Sequence, residues 1–266
     1  PQDFETYNKW SNTFYKIYTE SITKDLSEEN RIKNSINIFL MAGQGIRFVK
    51  EKYEKPKPLI EVSGKPMMLQ TISHLPKSKI NMFLIRKNMD KYNDLQKLII
   101  DNFDNPEIKR LDKVTTGQAS TAFLAISSLK NNQHYLKKSL LIAPCDAGVI
   151  FNYKKYMNLL NKSNFDIIVW TSNNYNDAKL KPEMYGWVKN KNNLITKTLV
   201  KESPINFDNY SIITGIFTFK NSFIFEKCYT LLKKNNNKIN SEYYIDSMVE
   251  EALKLNLNCF TFPVDE

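Results

Sequence analysis

The residues best suited to chemistry cluster between positions 41 and 67. Met41-Ala42-Gly43-Gln44-Gly45-Ile46-Arg47-Phe48 follows an apolar run over 36–41 that has the length and composition of a buried strand. Glycines at a strand exit let the backbone come close to a phosphate and turn its N–H groups towards it. Arg47 can then grip phosphate oxygens with its planar fork of donors. Ala42, Gly43 and Gly45 are therefore candidate nucleotide-binding positions, although an ordinary glycine turn would read the same in isolation. The next segment, Pro56-Lys57-Pro58-Leu59-Ile60-Glu61-Val62-Ser63-Gly64-Lys65-Pro66-Met67, holds Lys57 between two prolines that restrict the backbone and fix the side chain's direction. A stiffly presented lysine beside a phosphate loop suits the stabilisation of a pentavalent phosphoryl transition state. No Walker loop of the form G-x-x-x-x-G-K-S/T occurs, and the third glycine of a dinucleotide fingerprint is missing.

Three other segments carry candidate groups. Thr115-Thr116-Gly117-Gln118-Ala119-Ser120-Thr121-Ala122 opens an expected helix with small residues, leaving room for a flat base against the backbone. Leu140-Leu141-Ile142-Ala143-Pro144-Cys145-Asp146 ends a buried-looking strand on a carboxylate. Open α/β sheets bind ligands beyond the carboxyl ends of their strands, so Asp146 stands where a metal-bridged triphosphate would lie. Mg2+ takes one or two carboxylates, with phosphates and waters completing its shell, and Asp146 is a candidate ligand. Glu242 and Asp246, in Ser241-Glu242-Tyr243-Tyr244-Ile245-Asp246, are one turn apart on an expected helix and could face a second substrate together. A solvated acidic face is the equal alternative.

The glycine loop with its arginine, the spacer, and Pro-Lys-Pro-Leu ending in Gly-Lys-Pro together resemble the signature of the sugar-nucleotidyltransferase superfamily. Many members carry an additional glycine where this chain has only Ala42-Gly43-Gln44-Gly45; the shorter form occurs in relatives. The resemblance implies nucleobase or ribose contacts for Gly117, Gln118 and Ser120, each of which a capped helix start would explain as well. It implies Mg2+ as cofactor, with Asp146 as a metal ligand. Tyr185-Gly186-Trp187-Val188, Val200-Lys201-Glu202 and Thr214-Gly215-Ile216-Phe217 resemble the acceptor half of the same family. There Gly186 and Gly215 would allow close approach, and Lys201 would hold an acceptor phosphate. A second metal carboxylate is implied near the end of the chain, where Asp265 is the candidate.

The expected reaction is in-line attack by an acceptor phosphate oxygen on the α-phosphorus of a nucleoside triphosphate, with pyrophosphate leaving. Alignment and charge stabilisation by Mg2+, Lys57 and Arg47 would drive it. CTP is the favoured donor, and the acceptor is a sugar 1-phosphate or another small phosphorylated metabolite destined for a surface polysaccharide. One rival, a type A glycosyltransferase, usually needs Asp-x-Asp where this chain has Asp146-Ala147-Gly148. The other, a nucleotide-binding domain without turnover, is disfavoured by intact Lys57 and Asp146.

The elements that must position these groups read as an α/β domain over 31–266. A mixed, mostly parallel central sheet would be covered by helices on both faces, in a Rossmann-like nucleotidyltransferase fold. Strands are expected over 36–41, 80–85, 139–143 and 167–170, alternating with helices over 66–75, 90–100, 118–129 and 153–160. The second half adds strands over 185–189, 195–200, 212–219 and 259–264 and helices over 223–232 and 241–253. Residues 1–30 read as a helical arm, with Phe4, Tyr7, Trp10, Phe14 and Tyr18 near helical spacing.

Composition narrows the setting. The net charge of +10 is scattered through a Lys- and Asn-rich background instead of concentrating on one element with interleaved aromatics, which argues against a nucleic-acid partner. No apolar stretch approaches the ~20 residues that span a bilayer, so no membrane role is expected. Cys145, Cys228 and Cys259 form no paired motif, and His74 and His134 are isolated, which fits a reducing cytoplasm and no zinc site. The ends are unusual. The chain stops at Val264-Asp265-Glu266, and in the capsule-biosynthesis-like subgroup that it resembles a Val-Asp pair is followed by Gly-Thr-Pro and an aromatic helix. Pro1-Gln2-Asp3-Phe4 looks like that same motif entered midway, so the chain is expected to be a piece of a larger multidomain protein with a similar domain upstream.

Overall fold

Apolar runs without the alternation of a one-sided strand need cover on both faces, and the fold supplies it. The computed structural model describes residues 33–89, 93–161 and 164–265; the arm expected over residues 1–30 lies outside them. The first half holds β1 (Ser35–Leu40), α1 (Ile46–Lys50), the small hairpin β2 (Glu61–Val62) and β3 (Lys65–Pro66), α2 (Met67–Ile72), β4 (Ile80–Arg86) and α3 (Asn93–Asn102). It continues through β5 (Glu107–Leu111), α4 (Gln118–Ser128), α5 (Gln133–Leu136), β6 (Ser139–Pro144) and α6 (Tyr153–Asn161). The second half holds β7 (Ile167–Ser172), β8 (Gly186–Lys191), β9 (Leu194–Val200), β10 (Ser211–Phe219), α7 (Ser222–Lys234), α8 (Ile245–Lys254) and β11 (Cys259–Pro263).

Nine of these strands form one mixed sheet in the order β5-β4-β1-β6-β10-β7-β11-β9-β8. The pairs β5–β4, β4–β1 and β1–β6 are parallel, as is β7–β11, while β10 runs antiparallel to both β6 and β7. On one face Ile36 and Ile38 of β1 pack with Ala119, Ala122 and Ala125 of α4 and with the inner residues of α7 and α8. The alanines let α4 lie close against the strands. On the other face Phe39 and Met41 pack with α2, α3 and α6. Trp170, fully buried on that face, donates its Nε1–H to Thr218 Oγ1 at 3.2 Å, so its polar edge is satisfied.

β10 positions the functional half. Its C-terminal residues Phe217 and Phe219 pair with β6, whereas its N-terminal residues Ser211 and Ile212 pair with β8. The sheet therefore forks, and a gap opens between the end of β6 and the start of β8. Between the pairs Ile213–Thr171 and Phe217–Val169, three residues of β10, Thr214-Gly215-Ile216, stand opposite the single Trp170 of β7 as a bulge. The Thr214 hydroxyl compensates by donating to the Trp170 carbonyl at 3.1 Å.

Two expectations need revision. β5, an edge strand of sequence Glu107-Ile108-Lys109-Arg110-Leu111, carries charges that hide its strand character. The helix expected over 241–253 begins at Ile245. Asn240 and Ser241 have φ of 51° and 66°, and Ile239 and Glu242 form an antiparallel bridge, so the preceding segment is a tight hairpin. Among the described residues no helix is long and apolar enough to cross a membrane. The three cysteines are free and buried. Burial, aided by Lys65, pushes His74 down to about 4, which keeps it neutral.

Candidate active site

The glycine loop leaves β1 and turns into the short helix α1, with Gly45 in left-handed conformation at φ 62°. Lys57 opens a 3-10 turn over Lys57–Leu59 that is anchored in the core by buried Pro58 and Leu59. Its Nζ lies 5.6 Å from the centroid of the Phe48 ring and forms an ion pair with Asp146, two residues beyond β6. Both partners stay open to solvent, at 24% and 39% side-chain exposure, so a ligand can reach them.

Around this pair lies a cavity of about 400 Å³, lined by the glycine loop, Arg47, Thr115, Gly117, Gln118, Thr121 and Glu242. Gly117 has φ +104°, and a Cβ there would stand 2.6 Å from both the backbone N and O of Tyr243. Only glycine allows that approach. It lets the Tyr243 N–H donate to the Thr116 carbonyl at 2.8 Å and the Tyr243 carbonyl accept from Ala119 N–H at 3.0 Å. One donor at the start of α4 is thus satisfied by a segment distant in sequence. Ser120 departs from its expected role. It is buried, bonded to Thr116 Oγ1 at 2.9 Å and to the Tyr229 hydroxyl at 3.1 Å, and does not line the cavity. Helical spacing puts Thr121 there in its place.

A second lobe of about 1350 Å³ shares Arg47, Lys57, Gln118, Pro144 and Asp146 with the first, so the two meet at the charged pair. Gly215, at the β10 bulge, lines it together with Lys201, Tyr175, Tyr185 and Tyr244. Lys201 has φ +59°; its Nζ donates to the Met184 carbonyl and lies 5.6 Å from the centroid of the Tyr244 ring. Burial lowers its pKa, opposed first by the negative charge of Asp246.

Gly186 and Asp246 both line the larger lobe and pack against each other, while Glu242 lines the smaller one. A Cβ on Gly186 would fall 2.0 Å from Oδ2 of Asp246, so this glycine makes room for a buried carboxylate of the protein itself. Asp246 lies in the first turn of α8, and burial pushes it up to about 6, opposed by Lys201 and a backbone hydrogen bond. Glu242 precedes the helix and lines the smaller lobe, whereas Asp246 lines the larger one. The two do not share a helical face, because the hairpin at Asn240-Ser241 and the pinned Tyr243 hold the chain extended between them.

The donor set suits a hard cation at one place. Asp146 is a carboxylate at a strand end facing open space, which fits Mg2+ completed by phosphates and waters. Asp265 follows Val264 of the larger lobe, but it is itself held by its backbone, N–H to the Ile150 carbonyl at 2.7 Å and carbonyl to Asn174 Nδ2 at 3.0 Å; its side chain lines neither lobe. Among the described residues no three His, Cys, Asp or Glu side chains gather as a metal cluster. Thr115, Thr121, Tyr175, Tyr185 and Tyr244 join the site without having been singled out by the sequence. Thr115 and Thr121 stood beside the predicted base-binding residues, and Tyr185 beside Gly186.

Known proteins resemble this chain in sequence and in fold. The bifunctional protein GlmU of Staphylococcus epidermidis is 24% identical over 225 residues, covering 82% of this chain. The match takes in 45% of that relative, so the chain spans less than half its length. A nucleoside-diphosphate-sugar pyrophosphorylase from Vibrio cholerae RC9 superposes with a TM-score of 0.67 at 17% identity, covering 86% of this chain and 91% of that one. The inositol-1-phosphate CTP transferase from T. maritima gives 0.65 at 16% identity, covering 87% and 86%. These two structures share the fold. The family model described as nucleotidyl transferase matches residues 36–258, which include both lobes of the cleft up to their last strand, and the chain belongs to that family.

Proposed function

We propose that this chain transfers a nucleoside monophosphate from a nucleoside triphosphate to a small phosphorylated acceptor, releasing pyrophosphate. The observation that carries the reading is the meeting of two lobes at Arg47, Lys57 and Asp146. A triphosphate in the smaller lobe would present its α-phosphate to an acceptor phosphate in the larger lobe. An acceptor oxygen then forms the new bond to the α-phosphorus, and the bond from that phosphorus to the bridging oxygen breaks. Pyrophosphate departs with the electron pair, so no protein nucleophile is needed. Arg47 and Lys57 hold the phosphate oxygens and balance the charge that builds on them. Asp146 is the residue that would hold Mg2+, which when bound offsets triphosphate charge.

In the larger lobe Lys201 is the cation for the acceptor phosphate, and Gly215 leaves the floor open. The T. maritima neighbour is described as a CTP transferase acting on inositol 1-phosphate, which supports testing CTP first. A sugar 1-phosphate for surface polysaccharide remains the favoured acceptor. The test is pyrophosphate release from each of the four triphosphates, with Mg2+, against a panel of sugar and polyol phosphates. Release that depends on both substrates is the expected result. Consumption of a nucleotide sugar without pyrophosphate would establish a glycosyltransferase instead, and triphosphate binding without turnover on any acceptor would establish a binding domain.

A further inference from the structure

The hairpin ahead of α8 places an acidic side chain in the lobe that a triphosphate would occupy. Asn240 and Ser241 make the turn, after which Glu242 and Tyr244 point to the cleft and Tyr243 points into the core. The segment is fixed by the bonds of Tyr243 to Thr116 and Ala119, so Glu242 is delivered directly over Gly117. Its Cβ would lie 3.0 Å from a Cβ built on that glycine. Tyr244, in the larger lobe, lies close enough to Glu242 to feel its negative charge.

A carboxylate only accepts hydrogen bonds and repels phosphate. With Mg2+ assigned to Asp146, the partners open to it in a nucleotide lobe are the donors of the nucleoside, which are ribose hydroxyls or a base N–H. Position separates these. One side of Glu242 is the start of α4, with Gly117 and Gln118 beside the floor for a base. The other side is Tyr244 and the larger lobe. In a nucleoside triphosphate the group standing between base and α-phosphate is the ribose. We infer that Glu242 is a specificity residue that accepts hydrogen bonds from the ribose hydroxyls and selects ribonucleotides over deoxyribonucleotides. The inference rests on the nucleotidyltransfer reading above and adds a residue to it. Tyr244 borders the carboxylate on the acceptor side, and burial together with the negative charge of Glu242 pushes the tyrosine up to about 12, so its hydroxyl stays protonated there.

The experiment measures binding without acceptor, so that it does not depend on turnover. Affinities of CTP, UTP, ATP and GTP and of their 2′-deoxy and 3′-deoxy forms are compared by calorimetry with Mg2+. Wild type, Glu242→Gln and Glu242→Ala are used. Glu242 is exposed and its backbone makes the hairpin bridge, so neither variant disturbs the core. Losing a hydrogen bond to a charged group corresponds to about 10- to 100-fold in affinity. Wild type should favour ribose by that factor over at least one deoxy form, the preference should vanish in Glu242→Ala, and Glu242→Gln should keep part of it through its carbonyl. An equal preference in Glu242→Ala, or none in wild type, overturns the inference. So does a loss that follows the base, falling on CTP and ATP but sparing UTP, because that assigns Glu242 to a base amine. Failure of every triphosphate to bind would count against the parent reading first.

Discussion

Gly186→Ala tests the packing that sets the larger lobe. The added Cβ would stand 2.0 Å from Oδ2 and 3.0 Å from Cγ of Asp246, and 3.0 Å from Cδ1 of Ile213. Ile213 can yield at the end of its side chain, but the carboxylate would have to move by more than an ångström. Neither backbone can retreat. Gly186 is in register with Val200 of β9, and α8 is fixed by fully buried Met248, Val249 and Ala252. Asp246 must then leave its rotamer, and overpacking with an off-rotamer side chain costs about 2–4 kcal/mol. Asp246→Ala by itself should be close to neutral at pH 7, since it removes a charge that burial disfavours. In the double variant the collision is gone. Urea unfolding of the four proteins at pH 7, with unchanged m-values, gives the cycle. A coupling of about 2–3 kcal/mol is expected, with the double variant recovering most of the loss caused by Gly186→Ala. Additivity within about 0.5 kcal/mol would show that Gly186 is not tight against Asp246 and refute the reasoning.

Lys57→Ala should lower turnover by about 10²–10³ with a smaller effect on triphosphate affinity, since its charge matters most at the pentavalent phosphorus; near-normal turnover in a folded variant removes it from the mechanism. Asp146→Asn should weaken the Mg2+ dependence and the rate together, and an unaltered Mg2+ titration would argue against metal binding there. The raised pKa of Asp246 also gives a signed pH effect. Its folded form holds the proton up to about 6 against an ordinary value of 3.8, so its stabilising contribution is full below 3.8 and is lost as pH rises through about 6. Stability of wild type relative to Asp246→Asn should fall by up to about 3 kcal/mol between pH 4 and pH 7.5, and a constant difference would contradict the assignment.

The parts of this site legible in the sequence are those fixed by short-range rules. Glycines after an apolar run, prolines flanking Lys57 and a strand ending near Asp146 each state their geometry within about ten residues. The covered sheet followed from continuous apolar strands for the same reason. What sequence reasoning missed depends on partners far along the chain. Ser120 faces Tyr229, and Gly186 yields to Asp246, neither of which local spacing reveals. Residues 241–244 look helical by composition, but the backbone of Tyr243 is captured by Thr116 and Ala119 before a helix can start. β5 was invisible because an edge strand with one neighbour tolerates Glu107, Lys109 and Arg110.

The forked pairing of β10 separates two inheritances. The charged junction depends on β1 and β6, which belong to the parallel block, whereas much of the larger lobe hangs on the β8–β9 hairpin. That hairpin meets β10 at two residue pairs, Ser211 with Val188 and Ile212 with Trp187, and turns at Asn192-Asn193, both at positive φ. Its length, twist and inward side chains can change without shifting the register of β1, β4 or β6. A lineage can therefore retune which molecule fills the larger lobe while the strands beneath the phosphate loop stay as they are, and variation among descendants of this fold should accumulate on that hairpin first.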